Sequence, residues 1–92
     1  MIVRISTEGQ YELSDADGEA LNELDNEVVL ACESGDATAF HATFSRMLEL
    51  VRTRGSRLDE NRLAGSDIIL PPPDVSLDEA RQEFRGEGLI PG

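Results

Sequence analysis

Two helical stripes separated by only Gly35 and Asp36 constrain this chain more than any other feature. In ATAFHATFSRMLELVRTR, residues 37–54, the side chains of Phe40, Phe44, Met47, Leu48 and Val51 recur at three- and four-residue steps, so they share one helix face. The preceding segment, SDADGEALNELDNEVVLACESG, carries its own stripe of Leu21, Leu24, Val28, Ala31 and Cys32. Ser14 or Asp15 can cap it, and Asp15, Asp17 and Glu19 suit the positive end of a helix dipole. Gly35 stops the first helix, Asp36 caps the second and Gly55 ends it. A joint this short admits only an antiparallel neighbour, so the two segments form a helical hairpin. Counting outward from the joint sets Cys32 against Phe40, Val28 against Phe44, Leu24 against Met47 or Leu48, and Leu21 against Val51.

Around that pair the chain has little material. Its 92 residues are expected to form one domain, 1–92, burying roughly two-thirds of the unfolded surface, with no room for a deep cavity beside the core. One Tyr, three Phe and no Trp leave most packing to aliphatic residues. IVRI at 2–5 and QYEL at 10–13 are β-rich and flank a loop containing Gly9, which predicts a hairpin with Val3 and Ile5 on one face. Residues 56–74 lose periodicity and read as a polar loop anchored by Leu58 and Leu63. Within it Asp67-Ile68-Ile69-Leu70 has the composition of a third strand, ended by Pro71-Pro72-Pro73. Ser76-Leu77-Asp78-Glu79 is a capping-box pattern opening a short helix, with Leu77, Ala80 and Phe84 on one face and a stop at Gly86. The expected fold is therefore α+β: an N-terminal β-hairpin, with a third strand at 67–70, packed on an antiparallel helix pair, plus a short C-terminal helix.

The residues taken singly carry no visible chemistry. His41 flanks the Phe40/Phe44 stripe and stands across the joint from Cys32, but a Cys–His dyad also needs an orienting group and an oxyanion site. The favoured reading is a half-buried His at the stripe edge and a small buried Cys. Asp15-Ala16-Asp17-Gly18-Glu19 departs from the calcium-loop pattern, with Gly at position four and Asn26 at twelve. A single Cys and a single His do not make a structural zinc set, and one Cys makes no internal disulfide. No catalytic residue, cofactor or metal is expected. MIVRISTEGQ lacks the apolar segment of a secretory signal, and no run approaches the ~20 apolar residues of a membrane span. A cytoplasmic protein is the expectation.

Charge is unevenly distributed. The net charge is −11, and every base is Arg. Between Arg4 and Arg46 there are ten acids and no base, whereas five Arg lie from Arg46 to Arg62. Such an excess opposes non-specific binding to nucleic acid or to anionic lipid. Two accounts fit the asymmetry: solvated helix faces with dipole-favourable ends, or a polarised surface for a charged protein partner. Strand alternation adds a second surface. Ile68, Ile69 and Leu70 cannot all face one core, so they form, with the terminal Leu89, Ile90 and Pro91, the candidate partner-binding or self-association set, and a dimer is expected.

MIVRISTEGQYEL, LNELD, the Ser34-Gly35-Asp36 joint with Phe40, SDIILPPPD, SLDEAR and GEGLIPG together resemble the PspA-associated protein family, PspAA, over essentially the whole chain. The most specific parts are Ser66-Asp67-Ile68-Ile69-Leu70-Pro71-Pro72 and Gly88-Leu89-Ile90-Pro91-Gly92. A departure lies after the second helix, where this chain has Arg57 and Asp59 and the family pattern often has prolines. The resemblance implies a small bacterial or archaeal accessory protein of PspA, a helical membrane-associating protein of the phage-shock envelope-stress response. It implies a non-enzymatic adaptor that reaches the inner face of the membrane only through that partner. The competing reading, from charge alone, is an acidic nucleic-acid mimic that occupies a basic protein. An enzyme built on His41 is the third.

Overall fold

The computed structural model describes residues 1–59 and 65–84. Along them run β1 (Ile2–Ile5), β2 (Gly9–Glu12), α1 (Asp15–Ser34), α2 (Ala37–Arg54), β3 (Ser56–Arg57), β4 (Ile68–Leu70) and α3 (Leu77–Glu83). The fold is α+β, a mixed sheet layered on a packed helix pair with a short third helix. Leu63, Arg62, Gly86 and the terminal 85–92 segment lie outside the described residues.

Both long helices start and stop as their caps dictate. The Ser14 side chain accepts from the Asp17 N–H at 3.2 Å, and the Asp36 carboxylate accepts from the Ala39 N–H at 3.0 Å. Between them Gly35 takes φ 72°, a left-handed conformation that any Cβ would strain. That turn returns two backbone donors to the helix end, Gly35 N–H to Cys32 O at 3.2 Å and Asp36 N–H to Ala31 O at 3.1 Å. On α2 the whole stripe, Phe40, Phe44, Met47, Leu48 and Val51, is buried. On α1 Leu21, Val28, Ala31 and Cys32 are buried, Leu24 is half-buried, and Gly18, Asp25 and Val29 join the inner face.

The sheet order is β3-β2-β1-β4, with β1 antiparallel to β2, β2 antiparallel to β3, and β1 parallel to β4. Val3 pairs with Tyr11 and with Ile68, and Ile5 pairs with Leu70, so these side chains share the face that meets the helices. All five are buried. Arg4 and Ile69 pair on the opposite face and are exposed. The second hairpin strand begins one residue earlier than the composition suggests, at Gly9. Leu13 falls outside it yet is buried, its N–H donating to Met1 O at 2.8 Å.

The segment expected to be an open loop after α2 is instead an edge strand. Ser56 and Arg57 pair with Glu12 and Tyr11, and the Leu58 N–H donates to Gln10 O at 2.9 Å. Gly55 makes this possible. A Cβ there would lie 2.5 Å from the Val51 carbonyl oxygen and 3.0 Å from the Tyr11 Cβ, so only glycine lets α2 end this close to the hairpin.

At the other end of the helix pair α3 closes the core. Ser76 and Glu79 form the reciprocal capping box, with Glu79 N–H to Ser76 Oγ and Ser76 N–H to Glu79 Oε1 both at 3.2 Å. The helix turns Phe84 onto the α2 aromatics. Phe40 and Phe44 stack at 5.5 Å between centroids, and Phe84 meets them edge-on at 6.4 and 6.0 Å. Here the three Phe of the chain form one cluster that binds α3 to α2.

Two stability predictions follow from this packing. Phe44→Ala removes the ring that both other Phe touch and is predicted to cost about 3–5 kcal/mol in denaturant titration. A loss below ~1 kcal/mol would contradict the cluster's role. Ser76→Ala, which removes one half of the capping box, is predicted to cost only about 1 kcal/mol. A larger loss than that of Phe44→Ala would show that α3 depends on its cap rather than on Phe84.

Candidate functional site

The SDIILPPPD stretch is occupied with holding the sheet together. The Asp67 Oδ2 accepts from the Ile2 N–H at 2.7 Å while the Asp67 N–H donates to Ile2 O at 2.8 Å. Ser66 Oγ accepts from Gln10 Nε2 at 2.8 Å. Ile68 and Leu70 point into the core, Pro71 is buried behind them, and Pro72 O accepts from the Val75 N–H at 3.0 Å. Of the sequence-derived partner set, Ile68 and Leu70 therefore present no side-chain surface. Ile69 does, at 55% exposure, on the outer face beside Arg4. Leu89, Ile90 and Pro91 lie outside the described residues.

The exposed Arg side chains at and just after the end of α2 are tied to neighbouring parts of the fold. Arg52 grips the Glu8 carboxylate with two bonds, Nε to Oε1 at 3.0 Å and Nη2 to Oε2 at 2.6 Å. Its guanidinium is held above its ordinary pKa chiefly by that hydrogen bond. Arg57 donates to the Glu8 backbone carbonyl at 2.6 Å, with its guanidinium 5.7 Å from the Tyr11 ring centroid. Arg54 reaches back to Asp17 at the start of α1, 3.2 Å away. Exposed pairs of this kind contribute ~0–1 kcal/mol each, the two-pronged Arg52–Glu8 contact being the better placed. Of the Arg that make the sequence look polarised, Arg52 and Arg54 thus fasten the hairpin loop and the α1 start to the end of α2, and Arg57 fastens the same loop to β3. Neither account of the charge asymmetry anticipates this.

The candidate chemical residues are kept apart from one another in character. Cys32 is buried, and burial pushes its thiol above the ordinary value, with Arg81 pulling it down and Glu33 adding to the rise. His41 is exposed rather than half-buried, with its ring edge-on to Phe40 at 5.0 Å. Both oxygens of the Asp17 carboxylate are engaged, Oδ2 by the Ser14 hydroxyl at 3.1 Å and Oδ1 by Arg54. Among the described residues no group of three His, Cys, Asp or Glu side chains converges as a metal site would require. Nor is any described helix long and apolar enough to cross a membrane.

A fully buried acid, Asp25, was not singled out from the sequence. The signal was present: Leu21, Asp25, Val28 and Cys32 keep the four-three-four spacing of the α1 stripe. Asp25 is engaged in its buried position rather than free.

Among the described residues two large aliphatic side chains are exposed. Ile69 belongs to the outer sheet face, and Leu30, 65% exposed, to the outer face of α1. Beside the latter a groove of about 500 Å³ follows the seam between the long helices, lined by Ala20, Glu23, Leu24 and Glu27 from α1 and by Arg46 and Leu50 from α2.

No curated protein and no solved structure matches the chain significantly. The PspA-Associated protein family, PspAA, matches it across residues 1–92. That span takes in the capped helix pair, the Ser66-Asp67 sheet clasp and the Pro71-Pro72-Pro73 turn together. This chain belongs to the PspA-associated protein family.

Proposed function

We propose that this protein is a non-enzymatic adaptor that binds PspA in a phage-shock-type response to membrane stress. The observation that carries the reading is the family match over the full 92 residues, whose description names association with PspA and no reaction. The geometry is in keeping with it. The lone thiol is buried, and the lone imidazole is exposed without a described hydrogen-bond partner. A net charge of −11 opposes direct binding to anionic lipid, which is in keeping with recruitment through a membrane-associating partner. On this reading the protein works in the cytoplasm and is recruited to the inner membrane face by PspA.

In this proposal Ile69, on the outer sheet face, serves self-association, and Leu89, Ile90 and Pro91, outside the described residues, complete the set on sequence grounds alone. One aliphatic on a three-residue edge strand closed by prolines supports only a limited contact.

Titration calorimetry of the purified protein against purified PspA, with liposome flotation alongside, tests the function. The expected result is stoichiometric binding that weakens moderately as salt rises, with no flotation on anionic liposomes unless PspA is present. Flotation without PspA, or displacement of DNA from a basic protein in place of PspA binding, would contradict the adaptor reading.

A further inference from the structure

The seam between α1 and α2 is the place where a partner helix would find both an apolar floor and unmet charge. Ala20, Leu24 and Leu50 line it, and Leu24 and Leu50 are packed against the core from their half-buried positions. The sheet covers the other side of the helix pair. The residues that line this groove all come from α1 and α2. By contrast, the outer sheet face offers one exposed aliphatic, Ile69.

Charge along the seam is one-sided. Glu23 and Glu27 are exposed and stand one turn apart on α1, and Glu19 continues the same ridge in the N-terminal direction. Like charges at this spacing repel one another. Arg46 lines the opposite wall from α2. The ion pairs Arg52–Glu8 and Arg54–Asp17 do not involve Glu23, Glu27 or Arg46. Arg52 is bonded to Glu8 of the hairpin and Arg54 to Asp17, so neither is shared with Glu23 or Glu27. Leu30, three residues beyond Glu27, extends the apolar content along the ridge.

We infer that this seam is the docking groove for an amphipathic helix of PspA, an inference that rests on the adaptor reading and names its surface. The helix lays an apolar stripe over Leu24 and Leu50, as a third helix packs on a two-helix face. Its flank over α1 carries Lys or Arg toward Glu23 and Glu27, and its other flank carries a carboxylate toward Arg46. The opposed signs on the two walls fix which way round the helix lies.

The test uses the intact protein and PspA in the same titration. Glu23→Lys with Glu27→Lys reverses the α1 wall at exposed positions, and Leu24→Ser with Leu50→Ser removes the floor. Glu33→Lys with Glu83→Lys makes the same change in net charge at exposed positions that do not line the seam. Thermal melts of every variant establish that it folds, and because the charge reversal is confined to exposed side chains it stands if the serine variant does not fold. The expected result is at least about tenfold weaker PspA binding for the seam variants, with the charge control within about threefold of the parent. Equal weakening by the seam charge reversal and the charge control would mean that only net charge matters and would overturn the groove. Unchanged binding by the folded seam variants, with the parent still binding, would also overturn it while leaving the adaptor reading intact. If the parent itself fails to bind PspA, the adaptor reading falls, and the groove assignment with it.

Discussion

The structure depends on one constraint: two amphipathic helices, of 20 and 18 residues, joined by a two-residue turn that only a left-handed Gly35 closes comfortably. Helices of that length run about 27–30 Å, so the turn fixes their alignment from end to end. Each remaining element is then attached to a definite part of the pair. Gly55 brings β3 and Tyr11 against the end of α2, and Phe84 brings α3 against Phe40 and Phe44. The hairpin, marginal alone, becomes a four-stranded sheet because the chain returns as β4 beside β1 after both helices.

This arrangement explains which surfaces are left. Strand alternation sends Val3, Ile5, Tyr11, Ile68 and Leu70 to the helices, so the sheet takes up one side of the pair. The Ser66-Asp67 clasp and the proline turn hold β4 in that position. On the far side the helices meet along a seam with an apolar floor and unlike walls. The acids Glu23 and Glu27 lie on the α1 wall of that seam, while Arg52 and Arg54 at the α2 end are bonded elsewhere. Their partners Glu8 and Asp17 stand 44 and 37 residues away in sequence.

Much of this was legible in the sequence, for a physical reason. Helix faces repeat within a few residues, so the α1 and α2 stripes, both N-caps, the Gly35 stop and the Ser76-Glu79 capping box can be read locally. The strand at Ile68–Leu70 was also legible, from β-branched residues ended by prolines. By contrast, β3 has two residues and no alternation, and it exists because Gly55 delivers it to Tyr11 and Glu12. The parallel pairing of β4 with β1, the tie from Asp67 to Ile2 and the pairing of Arg52 with Glu8 all depend on long-range geometry that no local pattern encodes. Asp25 kept the helix spacing of a core position and was overlooked because its charge suggests a surface. The partner set of Ile68, Ile69 and Leu70 came from alternation, which does identify one outward residue; the structure shows it to be Ile69. The resemblance to PspAA rested most firmly on residues whose work proves to be structural, so it carried the family and left the docking surface to be found from the fold.

Hydrogen–deuterium exchange of the protein with and without PspA, read by mass spectrometry, addresses the central claim most directly. The claim is that the helix pair organises the fold on its sheet side and receives the partner on its open side. It predicts added protection in peptides covering residues 19–30 of α1 and 42–50 of α2, with little change in those covering β1, β2 and β4. Added protection confined to the sheet peptides, with the helix peptides exchanging as in the free protein, would contradict it.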